Sequence, residues 1–264
     1  MDNEIEKIPI LRLTEGGGHN IEDVVVREFP LTIILNNEEL VTLLCSPSDL
    51  KYLAAGFLFS EGLLHSKDEI SKIMVDARRG IVRVEIEESV ARGRDVLFRR
   101  FITSGCGRGT SFYSAADAQG QKKIESQVSI STGEIFILVK EFQHRSQVYR
   151  DTGGVHSAAL CDTKGILVFN EDIGRHNAID KVFGECILTD FPIEDRLIIT
   201  SGRVSSEILL KVAKRGIPII ISKSAPTDLG VRLANDLGIT LIGFVRGKRM
   251  NAYTHNWRIV HYDK

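Results

Sequence analysis

The C-terminal half of the chain alternates short apolar runs with helical patterns, and this limits the available folds more than any other feature. RLIITS (196–201), SSEILLKVAKRG (205–216), IPIIIS (217–222), PTDLGVRLANDLG (226–238) and ITLIGFV (239–245) read in turn as strand, helix, strand, helix and strand. Such units close right-handed and lay successive strands side by side, so the pattern predicts a largely parallel sheet within an α/β fold. Upstream, Ser131 and Glu134 form a capping box that opens a helix over 132–146. VHSAALCD (155–162) and GILVFNED (165–172) predict a hairpin, and GRHNAIDKVFGECIL (174–188) a helix whose apolar face carries Ala178, Ile179, Val182, Phe183, Cys186 and Ile187.

The first half has a different rhythm. DVVVREF (23–29), LTIILN (31–36) and LVTLLC (40–45) are short and β-branched, which predicts an antiparallel set. SPSDLKYLAAGFLFSEG (46–62) starts with a Ser-Pro helix signal and places Leu50, Leu53, Ala54, Phe57 and Leu58 on one stripe, so it is read as a helix packed on that sheet. KIMVDA, GIVRVEIEE and DVLFRRFI continue as strands. Residues 103–130 lose periodicity and are read as a loop and domain border. Two domains are expected: a strand-rich one over 1–130 and an α/β one over 131–264, making the chain α+β overall.

With 43% hydrophobic and 26% charged residues in 264, the chain suits a soluble globular protein. A formal net charge of −1 gives no general affinity for nucleic acid or membrane surfaces. The acidic start MDNEIEKIPI is unlike a secretory signal, and no apolar run approaches the roughly 20 residues that span a bilayer, so a cytoplasmic protein is expected. The cysteines at 45, 106, 161 and 186 form no C-x-x-C pair, which argues against a disulfide framework or a zinc knuckle. Cys45, Cys161 and Cys186 lie on apolar faces and are read as core.

Four polar clusters each follow an apolar strand: EDIGRHN (171–177), TSGRVSS (200–206), SKSAPTD (222–228) and RGKRMN (246–251). They carry Arg175, His176, Arg203, Lys223, Arg246, Lys248 and Arg249. Ligands of open α/β sheets sit beyond the carboxyl ends of the strands, where helix N-termini and loop N–H groups favour anions. Any one cluster alone is explained by caps and solvated side chains. Four on one edge define an anion site, provided the strand order brings them together. A zinc deaminase would share this order of elements but needs H-x-E at one helix start and P-C-x-x-C at the next. Ala178 stands where the glutamate belongs and TSGRVSS contains no cysteine, which argues against hydrolytic deamination even on a shared scaffold; His156, on a predicted strand, is read as structural.

FITSGCGRG (101–109) places Cys106 between Gly105 and Gly107, with Arg99, Arg100 and Arg108 nearby. A thiol with an ordinary pKa of about 8.5 is a minor thiolate near neutrality, and a neighbouring arginine that lowers it by about a unit raises the reactive fraction several-fold. On this stretch alone, a reactive carrier thiol and an unpaired surface cysteine without a role stand level.

TSGCGRG, DTGGVHSAALC, NEDIGRHNAIDKVFGECI, the long run from TSGRVSS to MNAYTH and the earlier LKYLAAGFLFSEGLL resemble, in order, the motifs of the FdhD family of formate dehydrogenase accessory sulfurtransferases, from about residue 20 to the C-terminus. The resemblance implies a C-terminal cytidine-deaminase-like domain with a mixed sheet, and a homodimer. It also implies transfer of persulfide sulfur from a cysteine desulfurase to the molybdenum or tungsten bis(guanine dinucleotide) cofactor, bound as substrate and destined for formate dehydrogenase, with no protein-ligated metal. Cys106 matches the first cysteine of the family's C-G-x-C-G loop and is the implied persulfide carrier. Gly109 replaces the second, which removes any disulfide shuttle and favours a one-cysteine mechanism. Phe244, Val245, Arg246, Gly247, Lys248 and Arg249 match the family's cofactor-binding stretch. GRHN and TSGR match shared motifs, and assigning Arg175, His176 and Arg203 as ligand contacts extends the resemblance by inference. A non-catalytic, cofactor-binding chaperone of formate dehydrogenase and a nucleotide-processing enzyme remain the alternatives.

Overall fold

The computed structural model describes residues 4–87 and 122–261. The segment DVLFRRFI and the Cys106 loop lie outside the described residues, as do Arg99, Arg100, Arg108 and Gly109.

The N-terminal region opens with a two-stranded antiparallel sheet, β1 (Ile5–Thr14) and β2 (Gly17–Val26). A four-stranded sheet follows in the order β4-β3-β6-β5, built from β3 (Phe29–Leu35), β4 (Glu38–Cys45), β5 (Ile70–Asp76) and β6 (Ile81–Ile86). This differs from the predicted antiparallel set. DVVVREF splits: Val24–Val26 pair with β1, and Phe29 opens β3, which pairs antiparallel with β4 and parallel with β6. The β3–β4 hairpin turns through Asn36 and Asn37, both at positive φ, a conformation asparagine tolerates better than most residues.

Helix α1 (Leu50–Glu61) follows a left-handed Asp49 and ends at a left-handed Gly62. Nine of its residues, Leu50, Leu53 to Ser60 inclusive, are buried, so the single stripe read from the sequence widens to almost the whole circumference. The reason is a second partner. One side of α1 meets the four-stranded sheet and another crosses α4 (Arg175–Leu188). At that crossing a Cβ on Gly56 would stand 1.7 Å from the Asp180 carbonyl oxygen, and one on Gly184 would stand 1.8 Å from that of Tyr52. Only glycine permits so close a backbone approach.

The remaining helices are α2 (Thr132–Arg145), with the expected capping box at Ser131 and Glu134, α3 (Gln147–Thr152), α5 (Ser206–Ala213) and α6 (Asp228–Asp236). A short parallel pair joins β7 (Ile130–Ser131) to β14 (Ile259–Val260). The main sheet runs β13-β12-β11-β10-β8-β9 and comprises β8 (His156–Cys161), β9 (Ile166–Asp172), β10 (Leu197–Thr200), β11 (Ile219–Ser222), β12 (Thr240–Arg246) and β13 (Arg249–Thr254). It is mixed: β10, β11 and β12 are parallel, whereas the β8–β9, β8–β10 and β12–β13 pairs are antiparallel. The expected largely parallel sheet is therefore confined to the three central strands.

Both faces of the sheet are covered at its centre, where β10, β11 and most of β12 are buried and largely apolar. Leu197, Ile199, Ile219, Ile221 and Ile242 pack with Ile135, Leu138, Val139 and Phe142 of α2 on one side. Ile198, Ile220 and Leu241 pack with residues of α4, α5 and α6 on the other, in a cluster that continues through α1 into the four-stranded sheet. Each fully buried aliphatic or aromatic side chain contributes about 1.5–3 kcal/mol, so this shared core fixes the two halves of the chain against each other. A buried polar joint adds direction: Asp180 accepts a 2.5 Å hydrogen bond from Ser60 and pairs with Lys211 at 2.8 Å. Among the described residues, no helix is long and apolar enough to cross a membrane.

Candidate functional site: a basic edge of the mixed sheet

Strand β8 is antiparallel to both β9 and β10, so β9 runs in the same direction as β10, β11 and β12. The carboxyl ends of all four strands lie at one edge, and the four polar clusters lie there together. The amino ends of β8 and β13 also reach this edge, bringing His156 and Arg249.

The loops are tied to one another. Lys223 donates its backbone N–H to Thr200 at 3.2 Å, and Ser222 donates its hydroxyl to the Gly202 carbonyl at 2.7 Å. Phe244 donates its N–H to Ser224 at 3.1 Å, and Val204 donates to Ala225 at 3.1 Å. Helices α4, α5 and α6 start at this edge, with Ser205 and Thr227 capping the last two. The N-cap of α4 is Gly174, which has no side chain to cap the first turn.

Arg203, Arg246, Lys248 and Arg249 are exposed, and Arg175 and His176 are half-buried. Arg175 lies against Gly202, and its Nε is buried without a hydrogen-bond partner. His176 Nε2 stands 3.2 Å from the Glu207 carboxylate. Burial first, and then the neighbouring Arg246, hold Lys223 below the usual lysine range. In the β12–β13 hairpin, Arg246 pairs in register with Arg249 across Gly247 and Lys248, and Arg246 lies 5.7 Å from the Phe244 ring centroid. Phe244 and Gly247 both adopt positive φ. Val245 points into the core beside Ile242, so any contact it makes with a ligand is through its backbone.

Beneath the edge, the turn from β9 into α4 is held by the N-terminal region. Asp172, fully buried, accepts hydrogen bonds from Ser46 N–H (3.0 Å), Gly174 N–H (2.9 Å) and Asn177 Nδ2 (2.9 Å), and pairs at 2.8 Å with an equally buried Lys181. Asn177 Nδ2 also donates to Leu44 O at 2.9 Å. The start of α4 is thus positioned by residues more than a hundred positions upstream.

His156, read as structural from the sequence, also belongs to this edge. Its Nδ1 lies 3.2 Å from Ser201 Oγ. Its local signal, a histidine just after two glycines and opening a strand, was present but does not show which loops the strand meets. Cys45, Cys161 and Cys186 are buried. Burial pushes the Cys45 and Cys186 thiols up to about 12, with Asp172 adding to the effect at Cys45 and Glu185 at Cys186, and pushes Cys161 higher still. None of the three is a ready nucleophile. Among the described residues, no group of three or more His, Cys, Asp or Glu side chains is arranged to hold a metal ion.

A mixed α/β sheet covered by helices on both faces, with basic residues gathered along the edge where four strands end, defines the class of fold. Residues 26–260 match the model of the FdhD/NarQ family, and the chain belongs to that family. It is 46% identical over 250 residues to the sulfur carrier protein FdhD of Bacillus subtilis strain 168, covering 95% of each chain. It is 43% identical over 252 residues to the protein of the same name from Staphylococcus aureus strain MRSA252, covering 96% of this chain and 95% of the other. A crystal structure from Desulfotalea psychrophila, assigned as a formate dehydrogenase accessory protein, superimposes with a TM-score of 0.80 at 28% identity, over 97% of this chain and 99% of that one.

Proposed function

We propose that this protein is a sulfur carrier for formate dehydrogenase, with Cys106 receiving sulfur from a cysteine desulfurase and the basic edge holding the substrate, a molybdenum or tungsten bis(guanine dinucleotide) cofactor. The observation that carries this reading is the convergence of Arg175, His176, Arg203, Arg246, Lys248 and Arg249 on one sheet edge, with a buried Arg175 Nε still lacking an acceptor. Arginine guanidinium groups pair with phosphate oxygens in two-point contacts, and an unsatisfied buried donor is stabilised when such an oxygen arrives. The names of the relatives support the sulfur-carrying role.

In the first step Cys106 thiolate attacks the terminal sulfur of the desulfurase persulfide. A new S–S bond forms, the donor S–S bond breaks, and the desulfurase cysteine leaves as thiolate. In the second, the Cys106 persulfide would pass its terminal sulfur to the metal centre of the bound substrate; the metal would supply the two electrons that make it a sulfido ligand, and Cys106 would leave as thiolate. The edge residues bind and orient the phosphates throughout. Work in the cytoplasm and assembly as a homodimer complete the proposal.

The test is mass spectrometry after incubation with a cysteine desulfurase and cysteine. Added sulfur mapped to Cys106, together with inactive formate dehydrogenase in cells carrying Cys106→Ala, is expected. Full dehydrogenase activity with that variant would overturn the carrier role and leave a cofactor-binding chaperone.

A further inference from the structure

His156 occupies a position that the phosphate reading leaves unused. It opens β8 directly opposite Asp172 of β9, between the start of α4 and the loop after β10. Ser201 Oγ accepts the Ser157 N–H at 3.0 Å and lies 3.2 Å from His156 Nδ1. When the ring is neutral with its proton on Nε2, the hydroxyl gives its own proton to Nδ1. When the ring is protonated, the hydroxyl turns and accepts from Nδ1–H instead. The serine therefore serves either charge state of the histidine without moving.

The charged groups facing His156 are Arg175 and His176 from α4, Arg203 from the loop after β10 and Asp172 from β9. Asp172 is compensated by Lys181 at 2.8 Å, so the surroundings are net positive. Burial first, and then Arg175, His176 and Arg203, hold the imidazole below the usual histidine range, with Asp172 opposing. A diphosphate entering this edge reverses the local sign and favours the imidazolium.

We infer that His156, supported by Ser201, is a proton-accepting member of the phosphate-binding edge, taking up a proton as the diphosphate of the substrate enters. The inference rests on the phosphate reading above. The sign follows from linkage: the bound state has the higher histidine pKa, so affinity rises as pH falls through that value and is lost as pH rises. An opposite charge at contact distance shifts such a group by about one unit or more, so affinity starts to climb as pH falls through the bound-state value and gains about tenfold in all once pH is below the free-state value.

The experiment is isothermal titration of the full chain with guanosine diphosphate between pH 6 and pH 8, in buffers of different ionisation enthalpy. Wild type, His156→Asn and His176→Asn are compared, so that the nucleotide's own titration cancels. Proton uptake by wild type and His176→Asn that disappears in His156→Asn is expected. An unchanged pH slope in His156→Asn, or loss of the slope only in His176→Asn, overturns the assignment. No binding by wild type at any pH overturns the phosphate edge itself. Should His156→Asn fail to fold, the imidazole C–H resonances of the wild type decide. One histidine that titrates at higher pH with nucleotide than without, and that moves on Ser201→Ala, supports the proposal; no change in any histidine midpoint overturns it.

Discussion

Arg175 packs so tightly on Gly202 that a Cβ at residue 202 would stand 2.9 Å from the arginine Cβ and 3.2 Å from its Cδ. The glycine carries no positive φ. Its role is to let the first residue of α4 lie across the loop that follows β10, where two sheet-edge loops form one surface.

Gly202→Ala puts a methyl against the Arg175 Cβ, which is fixed to the helix backbone, so the loop after β10 or the start of α4 must shift. Stability is expected to fall by about 1–3 kcal/mol. Guanosine diphosphate affinity is expected to fall about tenfold, the loss of a charge-assisted contact. Urea unfolding and calorimetric titration on the same preparation separate the two; an unchanged affinity would remove Arg175 from the binding edge.

At the crossing of α1 and α4 the obstacle is backbone, so no side chain can yield. Gly56→Ala or Gly184→Ala is expected to destabilise the protein by about 3 kcal/mol or more, seen as a large drop in the urea midpoint or as insoluble expression. A wild-type midpoint for either variant would mean the helices do not cross as described.

The Asp180–Lys211 pair should behave as a buried ion pair with one satisfied geometry. Asp180→Leu or Lys211→Met alone leaves a charge stranded and is expected to cost about 3–5 kcal/mol. The double substitution is expected to cost clearly less than the sum. Additive losses in a double-mutant cycle would show that the two groups do not depend on each other.

Thiol chemistry gives a fourth expectation. Cys45, Cys161 and Cys186 are buried, with thiols held far above the ordinary range. Iodoacetamide at pH 8 should add a single label to the native chain, at Cys106, and four after denaturation. Intact mass measurement reads this directly, and labelling of native Cys106→Ala would contradict it.

The local features of the fold were legible because they are encoded by neighbours in sequence. The capping box at Ser131 and Glu134, the β8–β9 hairpin and the apolar face of α4 need nothing beyond residues a few positions apart. Strand partners were less legible. Val24–Val26 and Phe29 sit almost side by side in the chain yet join different sheets, and the β13 strand was read only as a motif, because pairing is set by which surfaces are buried together. The placement of His156 beside the loop after β10 was not legible for the same reason: its partner Ser201 is 45 residues away.

By itself the sequence determined the strand–helix alternation, the basic loops that follow the strands and the placement of a lone thiol among glycines and arginines. Tertiary structure decided that β8 inserts antiparallel between β9 and β10, which turns the end of β9 toward the same edge as β10, β11 and β12 and gathers Arg175, His176, Arg203 and Arg246 there. Periodicity specifies how one segment folds and which face it buries, but strand order follows from long-range packing, and the charge of the edge exists only once that order is made.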